Sequence, residues 1–285
     1  MHPILFSIGN FHAYSYGFMI AVGALLGIFL SEWRANRRGM DGELVFNTAI
    51  WGLLAGLLGA KLTYVASNFK DLFTDPKAVL GTDGFTVYGG IVLGVIVGGL
   101  LLKRGLAKNE AALSDRAAAA GAQSVAARRR FTVGEYLDLF IPQVALAQGF
   151  GRIGCFMAGC CYGKEVPAGA HGVVFPAEAV APSGVELYPT QLMSAIGNFL
   201  IFAVLMLVGY IAAKKGKTLR PYTLTGLYLC LYAVGRFVVE IFRADPRRML
   251  FGLSSNQYMS FLFLAAGLVL ILRKAKDTLP KGAAA

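Results

Sequence analysis

Charge is scarce in this sequence. Only 15% of its 285 residues are Asp, Glu, Lys or Arg, where a soluble domain holds about a quarter. Histidine is scarcer, with His2, His12 and His171 far apart. No H-E-x-x-H pattern, phosphate-cradling glycine loop or Ser/His/Asp set is present, which argues against a zinc protease, a nucleotide-driven pump and a serine hydrolase. Met1 to Tyr16 has neither a basic start nor a short apolar core, so no cleavable signal peptide is expected. Apolar residues abound instead: 56% of the chain is hydrophobic, and it carries 35 glycines. Seven segments are long enough to cross a hydrocarbon core of about 30 Å: 13–32, 44–66, 85–102, 133–157, 190–213, 221–243 and 256–273. The fourth and sixth are the least hydropathic, because polar residues interrupt them. The expected fold is all-α and polytopic.

Lys and Arg set the orientation of such a chain. The segments 33–43, 103–132, 214–220 and 273–285 together hold eighteen, and the opposite side holds six. This bias places the N-terminus outside and the C-terminus in the cytoplasm. The net charge of +11 mostly reflects the same bias, and no compact basic domain remains to bind nucleic acid once the helices are set aside. Arg128-Arg129-Arg130 and Lys214-Lys215 read as topology anchors against anionic headgroups. Residues 1–275 form one transmembrane domain, and 276–285 a disordered cytoplasmic tail. Segments 69–84 and 158–188 would form a small external cap, and 105–127 a cytoplasmic excursion, either helical or mobile. Gly23/Gly27, Gly52/Gly56 and Gly90/Gly94/Gly98 recur at a spacing of four, which lets helix backbones approach closely.

Three basic residues remain inside the spans. Lys61 lies near a helix end, where its ammonium can snorkel to water. Arg152 and Arg236 lie deep in apolar stretches, where a cation costs roughly 2.5–3.5 kcal/mol on insertion scales. Two such guanidiniums suggest one anionic substrate group, and a lipid phosphate matches their planar donor fork. Glu240 follows Arg236 by four positions and shares its helix face, either as a structural ion pair or as a group orienting Arg236 for a ligand. Cys155, Cys160 and Cys161 cluster beside Arg152. Metal ligation, which would need a fourth ligand such as His171, a disulfide and simple packing all fit that spacing. Cys230, in mid-helix, reads as packing.

The run Gln148-Gly149-Phe150-Gly151-Arg152-Ile153-Gly154-Cys155-Phe156-Met157-Ala158-Gly159 resembles the signature of the prolipoprotein diacylglyceryl transferases, G-R-x-G-N-F-x-N-G-E. Tyr16-Gly17-Phe18-Met19, Tyr88-Gly89-Gly90, Pro189-Thr190-Gln191-Leu192 and Gly235-Arg236-Phe237 with Glu240 follow in family order. The resemblance implies a multi-pass enzyme of the bacterial cytoplasmic (inner) membrane. Such an enzyme moves the diacylglyceryl group of phosphatidylglycerol to the lipobox cysteine of a preprolipoprotein, with no cofactor or metal. It maps the essential arginines onto Arg152 and Arg236, and places Tyr88 with them in the catalytic set. Tyr16, Gln191, Glu240, Cys155, Gly89, Gly90 and Gly154 would line the substrate.

The chain also departs from the family pattern. Tyr88 stands where the family has His, and a phenol is a poor base at neutral pH. Cys155 replaces Asn and Cys160 replaces Glu, while Tyr188 and Ser194 stand where His and Glu are frequent. Two alternatives stay open at this point: a family paralogue with a different acceptor, and a non-catalytic anionic-lipid-binding protein. A thiol-redox protein built on the three cysteines is a third.

Overall fold

The computed structural model describes residues 4–9, 11–81, 84–120, 131–167, 169–244, 249–250 and 252–273. Strands β1 (Ile4–Ile8) and β2 (Phe11–Tyr14) form an antiparallel hairpin that leads into α1 (Ser15–Arg37). Helix α2 (Gly42–Ser67) is followed by two short helices, α3 (Asp71–Thr74) and α4 (Pro76–Leu80), then by α5 (Val87–Ala120). Helix α6 (Val133–Ala158) leads to a loop holding the two-residue strands β3 (Val173–Val174) and β4 (Glu186–Leu187). Helices α7 (Thr190–Lys214) and α8 (Thr223–Ile241) follow. A last hairpin, β5 (Met249–Leu250) with β6 (Leu253–Ser254), precedes α9 (Ser255–Leu272).

Each expected span lies within one of these helices to within two residues at either end. Six of the described helices are long and apolar enough to cross a membrane: α1, α2, α5, α7, α8 and α9. The seventh, α6, has the length, with 26 residues, but Glu135, Asp138 and Arg152 dilute its apolar character. The chain is a polytopic α-helical membrane protein. The helix that carries the third span, α5, continues to Ala120, so the first part of the expected cytoplasmic excursion is helical. Its extension is rich in Ala, with Lys, Arg and Leu beside it, which all favour helix. Residues 121–130 and the expected tail at 276–285 lie outside the described residues.

Surface and interior have the polarity of a protein dissolved in lipid. Trp51, Leu57, Leu58, Val95, Leu200 and Leu262 are exposed, whereas Asp138, Gln191, Glu240 and Arg243 are buried. The chain divides into two compact units, Ile28–Tyr136 and a second formed by Met1–Gly27 with Leu137–Ala285.

In the first unit, α2 and α5 pack along a glycine seam. A methyl group added at Gly94 would stand 3.0 Å from the carbonyl oxygen of Gly52, and one at Gly59 would stand 2.5 Å from that of Gly89. The expected four-residue glycine repeats are therefore contact surfaces. The unit is pinned at one end by Asp41, whose Oδ1 caps α2 by accepting from Leu44 N at 2.9 Å. Its Oδ2 accepts from Asn109 Nδ2, on α5, at 2.9 Å.

In the second unit, Gly23 of α1 packs against Ala147 and Phe150 of α6, and Gly226 of α8 against Gly267 of α9. Cys230 Sγ fills the space over Gly267, which fits its reading as a packing residue. Ala145, Ile201, Leu205, Leu224 and Tyr228 form the core shared by α6, α7 and α8. Tyr222, at the N-cap of α8, makes no side-chain cap bond. Asp138 of α6 supplies the cap instead, accepting from Thr225 N at 2.8 Å and Thr225 Oγ1 at 2.7 Å. An anion at a helix N-terminus is favourable on both hydrogen-bonding and dipole grounds.

The glycine seam yields a paired prediction. Gly59→Ala forces α2 and α5 apart and lowers stability by about 1–3 kcal/mol. Gly99→Ala, with nothing within 4 Å of the added carbon, leaves stability unchanged or slightly raised. Reversible unfolding of both variants in detergent measures the difference.

Candidate functional site

The second unit gathers most of the residues singled out from sequence. Arg236 and Glu240 lie one turn apart on α8, with Arg236 Nη2 at 3.0 Å from Glu240 Oε2. Glu240 is itself held in place. Its Oε1 accepts from Ser254 Oγ at 2.8 Å and from Asn256 Nδ2 at 3.1 Å. Ser254 is also the N-cap of α9, in a capping box with Gln257. The start of α9 therefore fixes the carboxylate, and the carboxylate fixes the guanidinium. Nη1 of Arg236 is buried and has no hydrogen-bond partner among the described residues. Arg152 and Arg243 lie close enough for their charges to bear on Arg236.

Arg152 comes from the last turns of α6. Gly154, two residues later, lies under Tyr16 of α1: an added methyl would stand 3.2 Å from the Tyr16 Cα and ring. Tyr16 in turn lies within electrostatic reach of Arg152, Cys155, Cys160 and Cys161. Gln191, at the start of α7, is fully buried. Its Nε2 donates to the Cys160 carbonyl at 2.8 Å, while Oε1 has no partner among the described residues. Thr190 Oγ1 donates to the Cys161 carbonyl at 2.9 Å. Two side chains of α7 thus hold the turn that follows α6.

That turn carries the three cysteines, whose sulfurs all lie within 4.8 Å of one another. The cysteines are free, with no disulfide among the described residues. Hydrogen bonds from the neighbouring thiols, reinforced by the Arg243 guanidinium, hold the Cys161 thiol well below its ordinary range. The same thiol contacts push Cys160 up. The loop beyond closes on the end of α8. Gly163 N donates to the Tyr188 carbonyl at 3.1 Å, Lys164 N to the Phe242 carbonyl at 2.7 Å, and Lys164 Nζ to the Ile241 carbonyl at 2.9 Å.

Tyr16, Arg152, Gly154, Cys155, Gln191, Arg236 and Glu240 thus all belong to one unit. Tyr88, Gly89 and Gly90 belong to the other, at the start of α5. There Tyr88 is exposed, and the two glycines pack against Gly59 and Gly56 of α2. Sequence reasoning missed Ser254 and Asn256, although Ser254-Ser255-Asn256-Gln257 has the S-x-x-Q form of a capping box. It also took Arg243 for one of several outer-loop basic residues, whereas Arg243 is buried.

Membrane-crossing helices around a half-buried guanidinium, that of Arg236, held by the buried Glu240 carboxylate define a multi-pass membrane protein. The profile of the prolipoprotein diacylglyceryl transferases matches residues 3–129 and 117–273, and the chain belongs to that family. A phosphatidylglycerol–prolipoprotein diacylglyceryl transferase 2 from Clostridium perfringens is 36% identical over 272 residues, covering 95% of this chain and 94% of the relative. The phosphatidylglycerol–prolipoprotein diacylglyceryl transferase of Clostridium tetani is 37% identical over 270 residues, covering 94% and 96%. One from Enterococcus faecalis is 29% identical over 284 residues, covering 97% and 92%.

The arrangement predicts how Glu240 variants differ. Glu240→Ala leaves Arg236 buried without its counter-charge and destabilises the protein by about 3–5 kcal/mol. Glu240→Gln keeps an acceptor for Ser254 and Asn256 and costs less than half as much. Thermal unfolding in one detergent ranks the two.

Proposed function

We propose that the chain transfers the diacylglyceryl group of phosphatidylglycerol to the lipobox cysteine of preprolipoproteins, the first step of bacterial lipoprotein maturation. The buried, unspent Nη1 of Arg236 carries this reading, beside an Nη2 already fixed by Glu240. An unpaired buried donor is costly, so a site that keeps one is built to receive an acceptor. A phosphodiester oxygen is an anionic acceptor of that kind, and Arg152 offers a second guanidinium.

In the reaction the acceptor sulfur attacks the glyceryl carbon that bears the phosphate. A C–S bond forms, the C–O bond breaks, and its electron pair leaves with glycerol phosphate. The thiol proton passes to solvent or to the released phosphate. Negative charge grows on the departing oxygens, where donors held in a low-dielectric interior need no reorganisation. Arg236 and Arg152 are the stabilising donors. Glu240 positions Arg236, and Tyr16, Gly154, Cys155 and Gln191 shape the headgroup pocket. For Tyr88, Gly89 and Gly90 a role toward the substrate rests on the family resemblance alone. The enzyme works in the cytoplasmic membrane with its N-terminus periplasmic, as the distribution of Lys and Arg supports.

Purified protein given phosphatidylglycerol and a lipobox peptide yields a thioether-linked product and free glycerol phosphate in equal amounts. Arg152→Ala and Arg236→Ala each lower the rate by about 100-fold or more while leaving membrane insertion intact. Bound phosphatidylglycerol with no glycerol phosphate released would show a lipid-binding protein instead. Product formed only with a non-lipobox acceptor would redirect the assignment to another substrate.

Tyr88 has its own test. If its hydroxyl bonds the substrate, Tyr88→Phe lowers kcat/KM about 10-fold or more and leaves the melting temperature unchanged. An unaltered kcat/KM removes Tyr88 from the site.

A further inference from the structure

The three cysteines do more than fill space. Cys155 lies in the last turn of α6, and Cys160 and Cys161 lie in the turn beyond it. Local backbone geometry brings them back together. Gly159 and Cys161 both adopt the left-handed conformation, at φ 69° and 63°, which an L-residue such as Cys161 rarely takes. Cys160 N donates to the Cys155 carbonyl at 3.1 Å, closing the turn. Gln191 and Thr190 hold the Cys160 and Cys161 carbonyls from α7. The Cys155 side chain is buried, and the other two are half-buried.

We infer that Cys155, Cys160 and Cys161 form a binding site for one thiophilic closed-shell cation of the Zn(II), Cd(II) or Cu(I) type. Three sulfurs around a metal at about 2.3 Å stand about 3.8–4.0 Å apart. The observed convergence within 4.8 Å needs only small side-chain rotations to reach that spacing. A disulfide would use two of the sulfurs and leave the third unexplained. Soft thiolates select these cations over Mg(II) or Ca(II). His171, the fourth ligand the sequence suggested, is exposed and does not belong to the group, so the site is three-coordinate with an open position.

Charge also balances. Each thiol gives its proton to solvent as its M–S bond forms, so a divalent cation with three thiolates carries one net negative charge. Arg243 lies beside Cys161, and Arg152 lies within electrostatic reach of Cys155. These guanidiniums offset the negative charge. The site shares Cys155 with the proposed headgroup pocket but does not depend on the transferase reading, since its test reads metal binding and not the reaction.

Cd(II) added to the reduced full-length protein in detergent tests the proposal, read by the ultraviolet thiolate-to-metal charge-transfer band and by proton release. The expected result is one Cd(II) per chain with loss of up to three protons. Cys155→Ser, Cys160→Ser and Cys161→Ser each lose the band, and Cys230→Ser keeps it. Thr190→Val, which frees the Cys161 carbonyl and leaves all three sulfurs, weakens binding by about 10-fold. Three outcomes overturn the site: no band from folded protein with four reactive thiols, a band that survives replacement of all three cysteines, or a disulfide among them in protein isolated with thiols trapped at lysis.

Discussion

A guanidinium among membrane helices is costly unless its charge is met, and much of this molecule is arranged around that demand. Arg236 has Glu240 for its charge. Glu240 has the Ser254 hydroxyl and the Asn256 amide for its other oxygen, and Ser254 is in turn fixed as the cap of α9. Each partner is itself held, so the chain of contacts ends in backbone rather than in mobile side chains. This is how a polar centre keeps its geometry in a medium that offers no water to repair a broken bond.

Apolar side chains cannot drive helices together in lipid, because the acyl chains are equally apolar. Backbone proximity and internal polar bonds take that role. The Gly52, Gly56, Gly90 and Gly94 seam brings α2 against α5, Gly226 and Gly267 do the same for α8 and α9, and Asp138 ties α6 to the first turn of α8. The last contact matters for the site. Arg152 lies on α6 and Arg236 on α8, and the Asp138 cap sets those two helices relative to each other within their unit.

The parts of this arrangement that one helix can encode were legible in the sequence. Span lengths, the four-residue glycine spacing and the Arg236–Glu240 pair are local periodicities, and each matches the structure. Arg152 and Arg236 stood out because a charge in an apolar run needs an explanation. Partners brought together by the fold had no such signal. Asp138 reads as an unremarkable acid near a helix start, Arg243 as one more loop cation, and Asn256 as a polar residue near a helix end. The extension of α5 stayed open between helix and mobile chain because hydropathy falls after Leu102, whereas helix propensity does not. The cysteine spacing left three readings open. The positive φ at Cys161, which turns that residue toward its neighbours, is a backbone property that composition does not display.

Arg236 Nη1 and Gln191 Oε1 are both buried with no hydrogen-bond partner among the described residues, and they are of opposite kinds. Arg236 Nη1 is a donor, and Gln191 Oε1 is an acceptor. Neither residue has its other polar end unused. Arg236 Nη2 is paired with Glu240, and Gln191 Nε2 is spent on the Cys160 carbonyl. Each side chain is therefore anchored through one atom and presents the other. Under the proposed reaction that division has a chemical sense, because a phosphatidylglycerol headgroup offers anionic oxygens to a donor and glycerol hydroxyls to an acceptor. An anchored donor and an anchored acceptor can distinguish such a headgroup from one that lacks hydroxyls, since the wrong lipid would leave Gln191 Oε1 buried and unsatisfied.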